Sequence, residues 1–88
     1  MPQTLVNLKD LNAELKRYLP PDTHLTDWYD PPNKDIKRAY VERAGVRWPV
    51  EISYYALRMR PPEEQYYYIV DQLLVALFLL EMNLNDLR

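Results

Sequence analysis

Apolar residues recur at helical spacing through the last third of the chain. Between Pro61 and Arg88, one set follows steps of four and three residues and falls on one narrow face of a helix. We call this set the heptad seam; it comprises Tyr66, Val70, Leu73, Leu77, Leu80, Leu84 and Leu87. The spacing is typical of a helix that buries one stripe against a neighbouring helix. We therefore predict that the heptad seam is an oligomer interface, most simply that of a homodimer.

A second apolar set lies on roughly the opposite side of the same helix and is interrupted by Asp71. It comprises Tyr67, Leu74, Val75, Phe78 and Met82. A helix that is apolar on two sides has to be buried on two sides. The rest of this small chain covers one side, and a partner or a second copy covers the other. The alternative is a central core helix that the other segments surround.

Proline pairs divide the remainder of the chain into two parts. Residues 1–33 read as an N-terminal helix followed by a proline-bounded loop, and residues 34–60 as a pair of basic helices. Residues 46–60 are ambiguous because their apolar positions fit both the alternation of a strand and the spacing of a helix. Pro49 is awkward inside a strand but fits the first turn of a helix, and this favours the helix.

These assignments predict an all-α fold. The chain forms a single domain, residues 1–88, of about four helices with a helix-turn-helix-like pair and a long apolar C-terminal helix. A short β-hairpin near residues 57–68 is the alternative for that segment. An 88-residue domain is marginally stable alone, so oligomerisation would add stability.

The composition leaves few means of catalysis. There is no cysteine, one glycine and one histidine, His24, so disulfides, thiolate-bound zinc and glycine-rich phosphate loops are excluded. Ser53 is the only serine and is far in sequence from His24. We predict a protein that is not an enzyme and has no cofactor and no metal. No secretory signal is visible, and charges interrupt the apolar C-terminal run, so we expect a cytoplasmic protein that does not enter a membrane.

The charge is unevenly distributed along the chain. The formal net charge is −2, but residues 34–60 carry seven basic side chains against three acidic ones. A basic middle segment between acidic ends suits an anionic partner or head-to-tail packing of copies.

The segment from Glu42 to Val46, followed by Ile52 to Tyr55, has the layout of a helix-turn-helix: one helix ends in Ala-Gly-Val and another amphipathic segment follows at once. This stretch resembles the DNA-binding domain of the MerR family, in which a tyrosine-bearing second helix precedes a short wing and a leucine-rich helix. The resemblance covers residues 36–88. In contrast to that family, Pro49 stands where the second helix would begin.

The resemblance implies DNA binding through the basic pair of helices. The groove and the phosphates would be contacted by Lys34, Lys37, Arg38, Arg47, Ser53, Tyr54 and Arg58. The heptad seam would then supply the dimer that spaces two half-sites.

A small oligomeric adaptor or assembly protein that binds a protein partner, of the kind found among phage structural and host-modulating proteins, is the alternative. The two hypotheses differ in one structural expectation. A DNA-binding protein exposes its basic residues on a common surface, whereas an adaptor can scatter them among ion pairs.

Overall fold

The computed structural model describes residues 8–86, including the side chains of residues 11–86. Helix α1 and a 3-10 turn precede a three-stranded sheet, and two helices follow it. The elements are α1 (Leu8–Leu15), the 3-10 turn (Lys16–Tyr18), β1 (His24–Leu25), β2 (Ile36–Arg43), β3 (Val46–Ser53), α2 (Tyr54–Arg58) and α3 (Pro62–Asp86). The protein therefore has an α+β fold.

The sheet is antiparallel, in the order β1-β2-β3, and is organised by the β2–β3 hairpin. Its two-residue turn consists of Ala44 and Gly45, which both have positive φ, 53° and 78°. Two successive residues with positive φ match the right-handed twist of a hairpin, and glycine adopts this conformation without strain. The turn pairs Arg43 with Val46 and thereby sets the register of the whole hairpin.

Pro49 lies within β3, where a proline would usually break the ladder. It pairs with Tyr40 of β2, but the backbone N–H and C=O of Tyr40 are bonded to Thr26 on the other side of β2. Pro49 therefore occupies a position without hydrogen bonds to β2, and its missing N–H faces the free edge of β3. An edge strand tolerates proline at such a position.

The prediction of an all-α fold was wrong. The helix-turn-helix-like pair is the β2–β3 hairpin, and the only helix within residues 46–60 is the short α2. The apolar alternation of residues 46–53 correctly indicated a strand. Pro49 favoured the helix instead, because the sequence does not show that β3 lies at the edge of the sheet. The alternative hairpin near residues 57–68 is also absent: that segment contains the end of α2 and the beginning of α3.

One face of the sheet and one face of α3 enclose the core. Alternation along β2 and β3 directs Val41, Val50 and Ile52 to the inner face, where each is almost completely buried. The helix α3 packs mainly against β3. The core cluster consists of Leu15, Val41, Val50, Ile52, Leu57, Ile69, Val70, Leu73, Ala76 and Leu80.

A short connection holds the beginning of α3 in place. The Ser53 hydroxyl caps α2 by accepting a hydrogen bond from the Ala56 N–H at 3.2 Å. The fully buried Gln65 of α3 donates from Nε2 to the carbonyl oxygens of Leu57 and Arg60, at 3.1 and 3.2 Å. These bonds satisfy a buried amide and carbonyl oxygens in and just after α2. They therefore tie the end of α2 to the beginning of α3.

The adjacent leucines Leu73 and Leu74 test which face of α3 supports the fold. Leu73 is fully buried, whereas Leu74 is 43% exposed. We expect Leu73→Ala to lower the free energy of unfolding by about 2–5 kcal/mol, because it leaves a cavity in the core. Leu74→Ala should cost less than about 1 kcal/mol. Urea denaturation of both variants, at low protein concentration, checks the prediction; equal losses would contradict this packing.

Candidate protein-interaction surface

The heptad seam packs against the chain's own sheet. Val70, Leu73 and Leu80 are buried. Tyr66, Leu77 and Leu84 are partly buried and pack against the core cluster, and Leu87 lies outside the described residues. The Tyr66 hydroxyl is 3.2 Å from that of Tyr18, and this hydrogen bond raises the pKa of Tyr66 to about 12. Contacts within the chain therefore occupy the described part of the seam.

The second apolar set lies on the solvent side of α3. We call it the exposed strip: Tyr67, Leu74, Val75, Phe78 and Met82. Tyr67 and Phe78 are the most open, at 66% and 64% of their surface. Single exposed apolar side chains are common in proteins, but a row of five along four turns of one helix, interrupted by Asp71, makes this face a candidate interaction surface. Five of the large apolar side chains that are exposed among the described residues belong to this strip, and the others are Tyr18, Tyr29, Tyr55 and Met59.

Acidic residues surround the exposed strip. The acidic residues of α3 are Glu63, Glu64, Asp71, Glu81 and Asp86, and the helix has no basic residue. We call these five the acidic rim. Asp71 is exposed and lies between Tyr67 and Leu74, whereas Glu81 bonds the Arg43 guanidinium at 3.2 Å. The remaining negative charges set the sign of the potential beside the strip.

The predicted DNA-binding residues are distributed over several elements of the fold. Lys34 is exposed before β2, Lys37 and Arg38 are on β2, Arg47 and Ser53 are on β3, and Tyr54 and Arg58 are on α2. Three of the cations are engaged with carboxylates: Lys37 with Asp30 at 3.6 Å, Arg38 with Glu51, and Arg58 with Asp35 at 2.9 Å. Ser53 is the cap of α2.

The outer face of the sheet carries an aromatic and charged row instead. The rings of Tyr29 and Tyr40 are stacked with centroids 6.4 Å apart, and the Arg47 guanidinium lies 3.7 Å from the centre of the Tyr40 ring. Arg38 donates from Nε to Glu51 at 2.7 Å. Hydrogen bonds from Tyr40 and Arg38 lower the pKa of Tyr29. Arg38 pairs across the hairpin with Glu51, and Arg47 with Glu42, and these opposite charges leave little net field for a polyanion.

Asp30 joins the loop before β2 to the beginning of α2. It accepts a 2.6 Å hydrogen bond from the Tyr54 hydroxyl and pairs with Lys37. The Tyr54 hydrogen bond is the main cause of the lowered pKa of Asp30, with the charge of Lys37 adding to it. Partial burial, followed by the bond to Asp30, raises the pKa of Tyr54. Tyr54 therefore has a structural partner in the position where a DNA contact was predicted.

The described residues contain no cluster of histidine, aspartate and glutamate side chains suited to a metal ion. His24 lines a shallow cleft of about 330 Å³ beside the hairpin turn, together with Asp22, Glu42, Arg43 and Arg47. The absence of catalysis remains a prediction from the sequence.

No family model matches the chain, and no curated protein or solved structure is significantly similar to it. Within residues 8–86, α3 is long and apolar enough to cross a membrane by length and composition. The core helix of a water-soluble domain meets the same criterion, and six residues of α3 are buried within the fold.

The sequence shows both apolar faces of α3, and it predicted the oligomer interface on the heptad seam, whose described residues pack against the core of the same chain. The signal that separates the two faces is Asp71. The heptad seam has no charged residue and suits a dry core, whereas a strip with a carboxylate in its middle suits a face that water can reach. The aromatic row on the sheet was missed because Tyr29 meets Arg38 only through a long-range β-bridge.

Removing the Tyr54 hydroxyl tests the Asp30 arrangement. We expect Tyr54→Phe to raise the pKa of Asp30 toward its ordinary value, because the main hydrogen bond to the carboxylate is lost. In the wild type the lowered pKa stabilises the fold above the unfolded-state pKa, and this contribution disappears as the pH falls through the folded-state pKa. Carboxyl ¹³C titration by NMR measures the shift; an unchanged pKa would refute the assignment.

Proposed function

We propose that this protein is a non-catalytic assembly module that binds another protein chain through the exposed strip of α3. The observation that carries the proposal is the exposure of five large apolar side chains on the face of α3 opposite the core. Protein interfaces are built around apolar and aromatic centres with polar rims, and the strip with its acidic rim has this organisation. Tyr67 and Phe78 are the aromatic side chains expected to contribute most to binding.

The distribution of the basic residues supports assembly over DNA binding. Lys37, Arg38 and Arg58 are held by carboxylates, and the net charge is −2. Phosphate recognition depends on cations that can replace the counterions of DNA, and cations already paired with carboxylates contribute little to it. DNA binding stays a prediction from the sequence, and a measurement of binding to duplex DNA tests it.

The proposal predicts that Phe78→Asp abolishes association and leaves the fold intact. Phe78 is 64% exposed, so the fold does not depend on its burial, whereas a charge in the centre of an apolar contact opposes binding. Tyr55→Asp is the matched control, because Tyr55 is equally exposed but lies on α2, outside the strip. Circular dichroism should show that both variants retain the helix content of the wild type.

Two measurements check the prediction. Sedimentation equilibrium between about 1 and 100 µM protein detects self-association in the affinity range of small interfaces. Association with other chains is detected when this protein retains other proteins from an extract of the cells that produce it. Association that Phe78→Asp removes and Tyr55→Asp preserves supports the proposal. Wild type and Phe78→Asp behaving alike in both measurements would overturn it.

Fluorescence anisotropy with labelled duplex DNA of random sequence tests the alternative. We expect no binding even at low salt, where nonspecific phosphate contacts are strongest. Binding that weakens with salt, and that is lost when Lys37, Arg38 and Arg47 are neutralised together, would favour DNA recognition. If such DNA binding is observed and the exposed strip mediates no association, DNA recognition would replace assembly as the proposed function.

A further inference from the structure

Taken together with the interrupting Asp71, the exposed strip has a spacing that reads the same in both directions along α3. Its members and the interrupting Asp71 lie at positions 67, 71, 74, 75, 78 and 82. If the helix is reversed about the midpoint between Leu74 and Val75, Tyr67 falls on Met82, Asp71 on Phe78, and Leu74 on Val75. The strip is therefore complementary in register to a reversed copy of itself, which is the requirement for a contact with two-fold symmetry.

From this juxtaposition we infer that the occupant of the strip is a second copy of this chain. The two α3 helices pack antiparallel, with a two-fold axis passing between Leu74 and Val75. The inference rests on the proposed function, to which it adds the identity and the orientation of the partner. Both chains use the same surface in this contact, so the assembly is complete with two copies and no third chain can add to it.

The position of Asp71 selects the antiparallel orientation. In a parallel pair in register, the two Asp71 carboxylates would face each other within an apolar seam, where like charges are unfavourable. In the antiparallel pair, Asp71 lies opposite Phe78 of the second copy. The two carboxylates are then separated by seven residues, about 10 Å along the axis at 1.5 Å per residue.

The strip is large enough for a specific contact of modest size. Fully buried aromatic side chains cover about 150–250 Å² each, and the five residues of the strip are between 43% and 66% exposed. The strip thus offers roughly 500 Å² per chain, or about 1,000 Å² for a pair, which is the lower limit for a specific interface. The sheet lies on the other side of α3, so two helices can approach to the ordinary separation of about 8–10 Å.

The acidic rim gives the pair an unusual dependence on salt. Antiparallel packing brings Glu63 and Glu64 of one copy close to Asn85 and Asp86 of the other, so that like charges meet at both ends. Salt screens this repulsion within about one Debye length. Self-association should therefore strengthen with ionic strength. A partner helix carrying lysine and arginine would be attracted to the same rim. Its binding would therefore weaken as the ionic strength rises.

The first test measures the affinity of self-association by sedimentation equilibrium. We expect the dimer to tighten severalfold between about 0.05 and 0.5 M sodium chloride. We also expect Asp71→Asn to tighten it by about tenfold, because a charge next to the apolar contact is removed. Asp22→Asn is the matched control, since Asp22 is exposed before β1 and far in sequence from α3; it should have no effect. Weakening in salt and on Asp71→Asn would overturn the inference.

The second test measures orientation, and the absence of native cysteine makes it direct. Spin labels are attached to Glu64→Cys or to Asn85→Cys, two exposed positions related by the proposed axis. Each variant alone should give a label separation of about 30 Å along the helix axis, and a mixture of the two should add a separation of about 10 Å. A parallel pair gives the reverse: short distances within each variant and long distances in the mixture.

The outcomes separate this inference from the proposed function. A monomeric protein whose strip binds a different protein overturns the inference and leaves the assembly function in place. A dimer with the parallel distance pattern overturns the orientation. A dimer that Phe78→Asp does not disturb overturns both.

Discussion

The structure depends on the burial of one face of α3 against a sheet of only three strands. A small sheet is not stable alone, because its apolar face must be covered. The inner faces of β2 and β3 supply Val41, Val50 and Ile52, and α3 supplies Ile69 and Leu73. The buried Gln65 fixes where α3 begins, so the direction of the helix over the sheet follows from the connection as well as from packing.

A two-layer arrangement also determines which surface remains open. One sheet can cover one face of a helix, and this chain has no second layer among its described residues to cover the other. The apolar character of the outer face is therefore not required by the fold. An exposed apolar row lowers solubility without stabilising the isolated chain, and the proposed contact with another chain would cover it. The face of α3 that the two-layer fold leaves uncovered is thus the face that the proposed function uses.

The C-terminal part of the fold could be predicted from sequence, and the middle could not. Proline followed by two glutamates and a long run of helical periodicity specified α3 locally. The hairpin depended on two facts that lie outside local patterns: Ala44 adopts positive φ, and Pro49 faces a free edge. For the site, both apolar faces of α3 were visible in the sequence. Which face meets the sheet depends on the sheet itself, and the sheet was not foreseen.

Pro49 has a consequence for how the protein behaves when it is concentrated. The outer edge of β3 is the longest free strand edge in the described part of the chain, and such edges recruit further strands into fibrous aggregates. A proline in the middle of this edge removes one of the donors that an added strand would need. Open-ended growth through the sheet is therefore hindered, whereas the proposed symmetric contact between two α3 helices would end with the second chain.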